Sequence, residues 1–411
     1  MRGEATGDKL TDKTGGTTIE SVPCSLGQFL VYFLRLGTFG FGGPIVLAGH
    51  MQRDLVETRR WIAHQDYVEG LAFSQLCPGP LAAQLAMYLG WVRAGRLGAT
   101  LVALAFILPS FLMVFVLAAL YIHYGGSLPW IQGVFYGMGA AVIAIIAISA
   151  YKLARKTIGG DWLLWLLFVI GAVVTVWTES EIVWVFLLGG VIAVLVRTPP
   201  RLRSRPLALA WAPWPEWLVA GLNGPASAAE LWQILWYFTE AGAFVFGSGL
   251  AIVPFLHGGI VDRFQWLDER QFLDAVAVAM ITPGPVVITV GFVGYLVAGP
   301  AGGVVAAMGV FLPCYLLVIL LAPYYRHFSK NQQIKAFVKG ITATVVGAIA
   351  GAAVILGRRA IFPHLPQVDV PAALIALAAL VVLLWGKRVP EPLVILAAGA
   401  VGLVLKHYEI T

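Results

Sequence analysis

A glycine-rich stretch inside an apolar run decides the fold of this chain: residues 36–44 read LGTFGFGGP. A second interruption lies at residues 77–80, which read CPGP within the uncharged run from Gly70 to Val92. Glycine and proline unwind a helix and leave backbone N–H and C=O groups unpaired. At membrane depth such backbone is tolerated only inside protein or beside water. Both stretches therefore predict discontinuous helices or re-entrant hairpins if the chain lies in a membrane.

The composition places the chain in a membrane. Of its 411 residues, 59% are hydrophobic and 12% are charged, whereas a soluble protein carries roughly 25% charged residues. These fractions exclude a soluble globule, a disordered chain and a nucleic-acid-binding protein. The 27 Lys and Arg exceed the 21 Asp and Glu, and they cluster between apolar runs as in cytoplasmic loops.

Uncharged runs recur at the length of roughly 20 residues that a helix needs to cross the hydrocarbon. Leu97–Ile122 has 26 residues without a charge, and Ala275–Tyr325 has 51, which is long enough for two spans. Shorter uncharged runs are Trp130–Tyr151, Trp162–Thr178, Ile182–Val196, Gly340–Gly357, Val370–Gly386 and Pro392–Leu405. The predicted fold class is an all-α polytopic membrane protein of about 10–13 transmembrane or re-entrant helices.

The chain repeats itself at a shift of 205 positions. The shift places Gly37, Phe39, Phe41, Gly42, Trp61 and Pro78-Gly79-Pro80 on Gly242, Phe244, Phe246, Gly247, Trp266 and Pro283-Gly284-Pro285, and with a one-residue slip Pro109 meets Pro313. Apolar segments share Leu and Val by chance, but not these motifs in register, so the chain is predicted to contain two homologous halves. The expected organisation is a cytoplasmic tail at 1–24, a repeat at 25–197, a basic and proline-rich linker at 198–229, and a second repeat at 230–408.

Loop charges predict that the two halves have inverted topology. In the first half the basic loops at 93–96 and 152–161 alternate with loops that lack Lys and Arg, which places them and the N-terminus inside. Inverting the second half also places its basic loops at 326–339 and 387–388 inside, with Arg358 and Arg359 as the exception. Inversion requires the linker to cross the membrane an odd number of times, and the proline-containing run 207–222 is the only candidate for such a crossing. Parallel repeats remain the alternative, although inverted repeats are common among secondary transporters.

The breaks also predict a binding site for a small anion. Half-helix N-termini present unpaired N–H groups and the positive end of the helix dipole, and proline suits the first turn of such a half-helix. Candidate half-helix starts are Gly42-Gly43-Pro44 and Pro78-Gly79-Pro80, with counterparts at Gly247-Ser248-Gly249 and Pro283-Gly284-Pro285. The alternative is that these breaks are kinks that serve packing.

Polar side chains beside the breaks complete the candidate site. Arg35 directly precedes the glycine cluster, and its repeat partner is Glu240. The two are interpreted either as an anion site with a proton- or substrate-linked switch, or as an Arg35 side chain that snorkels to the interface. Candidate hydrogen-bond donors to an oxyanion, or else to neighbouring helices, are Thr38, Ser74, Gln75, Gln84, Ser248, Thr282 and Thr289. The charged residues at 54–60 and 262–270 are interpreted mostly as a solvated loop face.

Motifs of enzymes and of cofactor sites are missing from the sequence. It contains no GxxxxGK[ST], HExxH or GxSxG, and its three cysteines have no CxxC spacing. Neither a metal nor a cofactor is predicted, and a membrane enzyme is the weaker class.

Several motifs resemble those of the chromate ion transporter family. They are Phe41-Gly42-Gly43-Pro44, Arg59-Arg60-Trp61, Gln75-Leu76-Cys77-Pro78-Gly79-Pro80 and Leu108-Pro109-Ser110, and the likeness covers about 25–160 and 230–360. The second half departs from the pattern at Gly247-Ser248-Gly249. The resemblance implies a multi-pass protein of the bacterial inner membrane, of the two-domain type, that exports chromate and confers resistance.

The expected partners are therefore the lipid bilayer and chromate or a sulfate-like oxyanion, with no nucleic acid; a homodimer is left open. Rival interpretations are a transporter of sulfate or another oxyanion, working in uptake as an alternative, and, from another class, a membrane enzyme or a non-transporting membrane subunit.

Overall fold

The computed structural model describes residues 22–41, 43–124, 128–178, 182–198, 220–221, 224–225, 227–243, 252–325, 331–361, 369–385 and 389–407. The helices of the first repeat are α1 (Leu26–Phe39), α2 (Pro44–Met51), α3 (His64–Leu76), α4 (Leu81–Tyr124), α5 (Pro129–Ile158), α6 (Trp162–Thr178) and α7 (Val183–Arg197). Those of the second repeat are α8 (Ala228–Ala243), α9 (Ile252–His257), α10 (Glu269–Ile281), α11 (Thr289–Leu321), α12 (Gln332–Ile361), α13 (Val370–Trp385) and α14 (Glu391–His407). Short 3₁₀ turns flank α11 at Val286–Ile288 and Ala322–Tyr324.

The first glycine-rich break is the tip of a hairpin. Ser25 starts α1 with a capping box that includes Gln28, and the helix ends where the Gly40 N–H donates to the carbonyl of Leu36 at 2.8 Å. The chain returns through α2 and a π-helical turn at Gln52–Thr58. At the base, Val22 N–H donates to the Arg60 carbonyl at 2.7 Å. The two arms therefore lie side by side, as in a re-entrant hairpin.

The second break is the tip of another hairpin, formed by α3 and the first part of α4. Gly70 of α3 packs so closely on Tyr88 that a Cβ at Gly70 would lie 2.5 Å from the Tyr88 ring. Within α4 the backbone is not helical at Ala94 and Gly95, whose φ is +59°. Past this turn the chain doubles back, since a Cβ on Gly98 would lie 2.1 Å from the carbonyl oxygen of Gly90. The part of α4 after Gly95 is its long part, from Arg96 to Tyr124.

The second repeat has the same construction. The hydroxyl of Tyr237 on α8 donates to the carbonyl of Phe255 on α9 at 2.7 Å, which joins the arms of its first hairpin. A π-helical turn at Gly258–Arg263 follows α9, and a glycine with positive φ, Gly299, makes the turn inside α11. The predicted duplication therefore extends to details of backbone conformation.

The two repeats are inverted relative to each other. The hydroxyls of Thr100 and Tyr315 lie 2.6 Å apart near the start of the long part of α4 and towards the end of α11. Nearer the other end of α4, Phe115 packs on the start of the long part of α11, where a Cβ on Gly303 would lie 2.5 Å from the Phe115 ring. Thus α4 and α11 are antiparallel although the repeat makes them equivalent, and a two-fold axis in the membrane plane relates the halves. We call the side from which the first repeat's hairpins enter the N-face, and the opposite side the C-face.

The last helices of each repeat pack on the other repeat. Helices α6 and α7 pack on α12, while α13 and α14 pack on α5. Glycines bring these backbones together: a Cβ on Gly171 would lie 2.2 Å from the Thr344 carbonyl oxygen, and one on Gly137 would lie 2.0 Å from that of Ala398. Small residues at such interfaces are typical of membrane helices.

The predicted polytopic helical class and inverted repeats with broken helices are confirmed. Four helices of the described residues are long and apolar enough to cross a membrane. The linker run 207–222, the candidate for the odd crossing, lies largely outside the described residues, which include only the pairing of Ala220–Gly221 with Gly224–Pro225.

Candidate functional site

The hairpin tips of the two repeats meet inside the bundle. Gly284, in the second tip of the second repeat, donates its N–H to the carbonyl of Gly40 in the first tip of the first repeat, at 2.8 Å. Its φ is +104°, and a Cβ there would lie 2.6 Å from Ser110 Oγ and 3.3 Å from the Gly37 carbonyl oxygen. The contact therefore joins two hairpins that enter from opposite faces.

A related contact lies across the two-fold axis. Gly79, with a φ of +133°, sits so close to the second repeat that a Cβ there would lie 3.1 Å from Cys314 Cβ. Ser110 and Cys314 are equivalent in the register that pairs Pro109 with Pro313. Each Pro-Gly-Pro tip thus packs on the same position of the opposite repeat's long helix.

Helix N-termini point at the tips. In α4 the first helical hydrogen bond runs from Gln84 N–H to the Pro80 carbonyl at 2.9 Å, so the N–H groups just before Gln84 precede the hydrogen-bond ladder. In α2, Leu47 N–H bonds to the Gly43 carbonyl at 3.1 Å and Pro44 occupies the first turn. Because the arm from Leu81 to Arg93 has a length of about 20 Å, its N-terminus lies well inside a hydrocarbon layer of about 30 Å.

Among the described residues, the polar side chains next to the tips are uncharged. Gln84 is buried and donates from Nε2 to the Pro78 carbonyl at 2.5 Å, whereas its Oε1 has no hydrogen-bond partner among the described residues. The hydroxyl of Ser110 bonds to the Ile107 carbonyl and that of Thr289 to the Val286 carbonyl, at 3.0 and 2.7 Å. Helix dipoles and backbone amides are thus the source of positive potential at this place.

Most residues of the predicted breaks lie at these tips. They are Gly43, Pro44, Pro78, Gly79, Pro80, Pro283, Gly284 and Pro285. Gln75 is exposed on α3, and the Thr38 hydroxyl bonds to the Leu34 carbonyl of its own helix at 2.7 Å. Gly42, Gly247 and Ser248 lie outside the described residues.

Arg35 and Glu240 are not paired with each other. Arg35 is exposed on α1, and no hydrogen bond or ion pair joins it to Glu240 in the described part of the chain. Glu240 is half-buried and lines a groove of about 420 Å³ together with Trp236 and Arg263. Among the described residues the two charges thus make no direct contact, and their joint role stays a prediction.

Sequence reasoning missed two features. Ser110 and Cys314 were not among the site residues, although extending the Pro109–Pro313 register by one position would have found them. The second feature is a partly buried polar cluster near the C-face: Asp262 and Glu269, which were interpreted with the solvated loops, contact Arg359 at 2.8 and 3.3 Å. No sequence signal pairs these residues, because Arg359 lies far along the chain on α12.

Comparison with known proteins places this architecture in a family. The sequence model of the family described as "Chromate transporter" matches residues 27–194 and again 232–403. The chain is 54% identical over 394 residues to the chromate transport protein of Cupriavidus metallidurans, covering 96% of each chain. It is 54% identical over 392 residues to the probable chromate transport protein of Synechococcus elongatus, covering 92% of this chain and 95% of that one.

A more distant relative is the chromate transport protein of Pseudomonas aeruginosa, 31% identical over 408 residues, with 96% of this chain and 95% of that one covered. No solved structure matches the chain. Family matches in both repeats, together with relatives aligned over nearly the full length, show that the chain belongs to the chromate transporter family.

Proposed function

We propose that this chain is a secondary transporter that exports chromate across the bacterial inner membrane and thereby confers chromate resistance. The substrate is the one named for its relatives, and the two repeats are taken as 25–197 and 230–408. The observation that carries the proposal is the meeting of Gly284 with Gly40 at 2.8 Å, which brings hairpins from opposite faces to one place within the membrane.

The tips suit a tetrahedral oxyanion dianion. Backbone N–H groups at helix N-termini bind oxyanions without a charged side chain, and α2 and α4 each begin at a hairpin tip with the positive end of the helix dipole. Arg35, five positions before Gly40 and exposed, adds a positive charge that attracts the dianion towards the first tip. Residues of the site are those of the tips, with Gln84 and Ser110 beside them.

The N-face is assigned to the cytoplasm. Basic residues at the helix ends on this side include Arg93, Arg96, Lys152, Lys335 and Lys339, which follows the positive-inside rule. Reporters fused after Lys156 and after Lys335 are expected to signal the same side of the membrane. Opposite signals would contradict the inverted arrangement in the cell.

Export requires a driving force, which we assign to the proton gradient or the membrane potential. The sequence contains no phosphate-binding loop for ATP. A dianion leaving the cytoplasm moves down the electrical gradient, because the outside is positive and each charge gains about 2.3 kcal/mol per 100 mV.

Proteoliposomes with purified protein and labelled chromate test the proposal. We expect protein-dependent chromate flux that rises with an imposed membrane potential, positive on the side towards which chromate moves. Empty liposomes and liposomes with the Gly284→Ala variant serve as controls. Absence of flux under any gradient would remove the transporter assignment, whereas flux of sulfate without chromate would keep the transporter and change its substrate.

A further inference from the structure

The two repeats are packed differently although their sequences align. On α10, Asp274 is 3% exposed and the residues from Ala275 to Met280 are buried. The matching positions on α3 are more exposed. Glu69, Leu71 and Ala72, which match Asp274, Val276 and Ala277, are half-buried, and Gln75, which matches Met280, is exposed. Equivalent hairpins therefore occupy a closed position on the C-face and a looser one on the N-face.

The helix contacts show the same asymmetry. Helix α10 packs on α5, α14 and the end of α4. The matching partners of α3 would be α12, α7 and α11. In the described ranges α12 and α7 do not pack on α3 to a comparable extent, whereas Tyr325, just past α11, packs on Phe73 of α3 with ring centroids 5.6 Å apart. An inverted repeat with one closed and one loose hairpin pair has the geometry of one state of an alternating-access cycle.

A polar cluster ties the closed hairpins to α12. Arg359 Nη1 on α12 donates to Asp262 Oδ1 at 2.8 Å and to Glu269 Oε2 at 3.3 Å. His257 is 4% exposed, with Nε2 2.9 and 3.0 Å from the Glu269 carboxylate oxygens and Nδ1 3.4 Å from Asp262 Oδ2. One guanidinium thus connects the ends of both hairpins to the bundle.

The first repeat does not carry the same set of groups. At the shift of 205, His257, Asp262 and Glu269 correspond to Gln52, Glu57 and His64. Arg359, the third residue from the end of α12, corresponds to Lys156, the third from the end of the equally long α5. Glu57 and His64 are exposed, and a histidine in place of Glu269 removes the second carboxylate. The cluster is therefore specific to the C-face.

A cavity lies next to the cluster. It has a volume of about 370 Å³, includes Glu269 and Arg359 in its lining, and is also lined by Arg270, Asp274 and Lys406. Asp274 accepts a hydrogen bond from the Tyr121 hydroxyl at 2.7 Å, which holds α10 against α4 of the first repeat. The cluster thus stands at the boundary between the closed hairpins and a polar space near the C-face.

We propose that His257, Asp262, Glu269 and Arg359 form the C-face gate of the transporter, closed in this structure, and that release of Arg359 from the two carboxylates frees the hairpins to open. This inference rests on the proposed transport function. Charge-assisted hydrogen bonds of this kind are strong when partly buried, but they are broken by loss of one partner. The gate would then bias the chain towards the state that is open on the N-face.

Cysteine accessibility tests the gate without chromate. Ala277→Cys on α10 and Ala72→Cys on α3 form a matched pair, since the two alanines are equivalent and only Ala277 is fully buried. The native Cys24, Cys77 and Cys314 are buried, and their labelling in the native chain gives the background rate. Each variant is labelled with a charged, membrane-impermeant thiol reagent in detergent and in proteoliposomes.

We expect slow labelling at position 277 and faster labelling at position 72. Adding Arg359→Gln should raise the labelling rate at position 277 about tenfold, which corresponds to a change of about 1.4 kcal/mol in the free energy of opening. Asp262→Asn should also raise this rate. Arg263→Gln, which removes an exposed charge beside the cluster, is the control and should leave the rate unchanged.

An unchanged labelling rate at position 277 in both Arg359→Gln and Asp262→Asn would overturn the assignment of these residues as a gate. A rise that is matched by the three native cysteines would show general loosening and would overturn it as well. Labelling needs no substrate. If Arg359→Gln raises the rate at position 277 in a protein that shows no chromate flux, the gate assignment stands and only the proposed substrate fails.

Discussion

Gly284 is held in a backbone conformation that L-residues rarely adopt, with a φ of +104°. The Gly284→Ala variant would add both backbone strain and a contact of 2.6 Å with Ser110 Oγ. We expect it to lower the free energy of unfolding by about 1–3 kcal/mol and to abolish transport, because the tip can no longer approach Gly40. The measurements are the thermal midpoint in detergent and chromate flux.

The control for this substitution is Gly49→Ala. Gly49 lies within α2, where a Cβ would meet no atom within 4 Å, and alanine favours a helix over glycine. Its thermal midpoint and flux should therefore stay at or above those of the native chain. Equal effects of the two variants would show that the tip contact has no special role.

Arg35 is the one arginine of α1, and it is exposed near the first tip. If it attracts the dianion, Arg35→Gln should raise the KM for chromate and reduce flux. Arg35→Lys should change the KM and the flux only slightly, because it retains the positive charge. Flux measured at two salt concentrations distinguishes attraction from structure, since screening weakens only the electrostatic part. Native flux in Arg35→Gln would leave the residue with a snorkelling role alone.

Helix packing between the repeats depends on glycines where backbones touch. A Cβ on Gly347 of α12 would lie 2.0 Å from the Phe168 carbonyl oxygen of α6, whereas one on Gly357 of the same helix would lie 3.7 Å from Ile143. We expect Gly347→Ala to cost about 1–3 kcal/mol through overpacking and Gly357→Ala to cost little. Thermal midpoints of the two variants provide the comparison, and equal midpoints would argue against close α6–α12 packing.

The sequence predicts the elements better than their contacts. Proline and glycine mark the hairpin tips because each residue changes the local backbone, and this is visible in a single stretch such as Pro78-Gly79-Pro80. The approach of Gly284 to Gly40 depends on inverted packing of distant segments, which no local pattern encodes. The same holds for Arg359, whose partners Asp262 and Glu269 were assigned to solvated loops since their spacing alone resembles that of any polar loop.

The whole molecule consists of two repeats that complete each other. Helices α6 and α7 find their packing partner in α12, and α13 and α14 find theirs in α5. A repeat on its own would therefore expose the small-residue faces that the other repeat covers, such as Gly171 beside Thr344. Neither half is expected to be stable alone.

A chain cut in the linker tests this interdependence. If residues 1–200 and 201–411 are produced together, we expect them to copurify and to retain chromate flux, because the interfaces do not require a covalent link and the candidate crossing 207–222 stays with the second fragment. Each fragment produced alone should be degraded or aggregate, and Gly347→Ala in the second fragment should reduce copurification. A single fragment that is monodisperse and thermally as stable as the pair would show that the repeats fold independently and would contradict the exchanged packing.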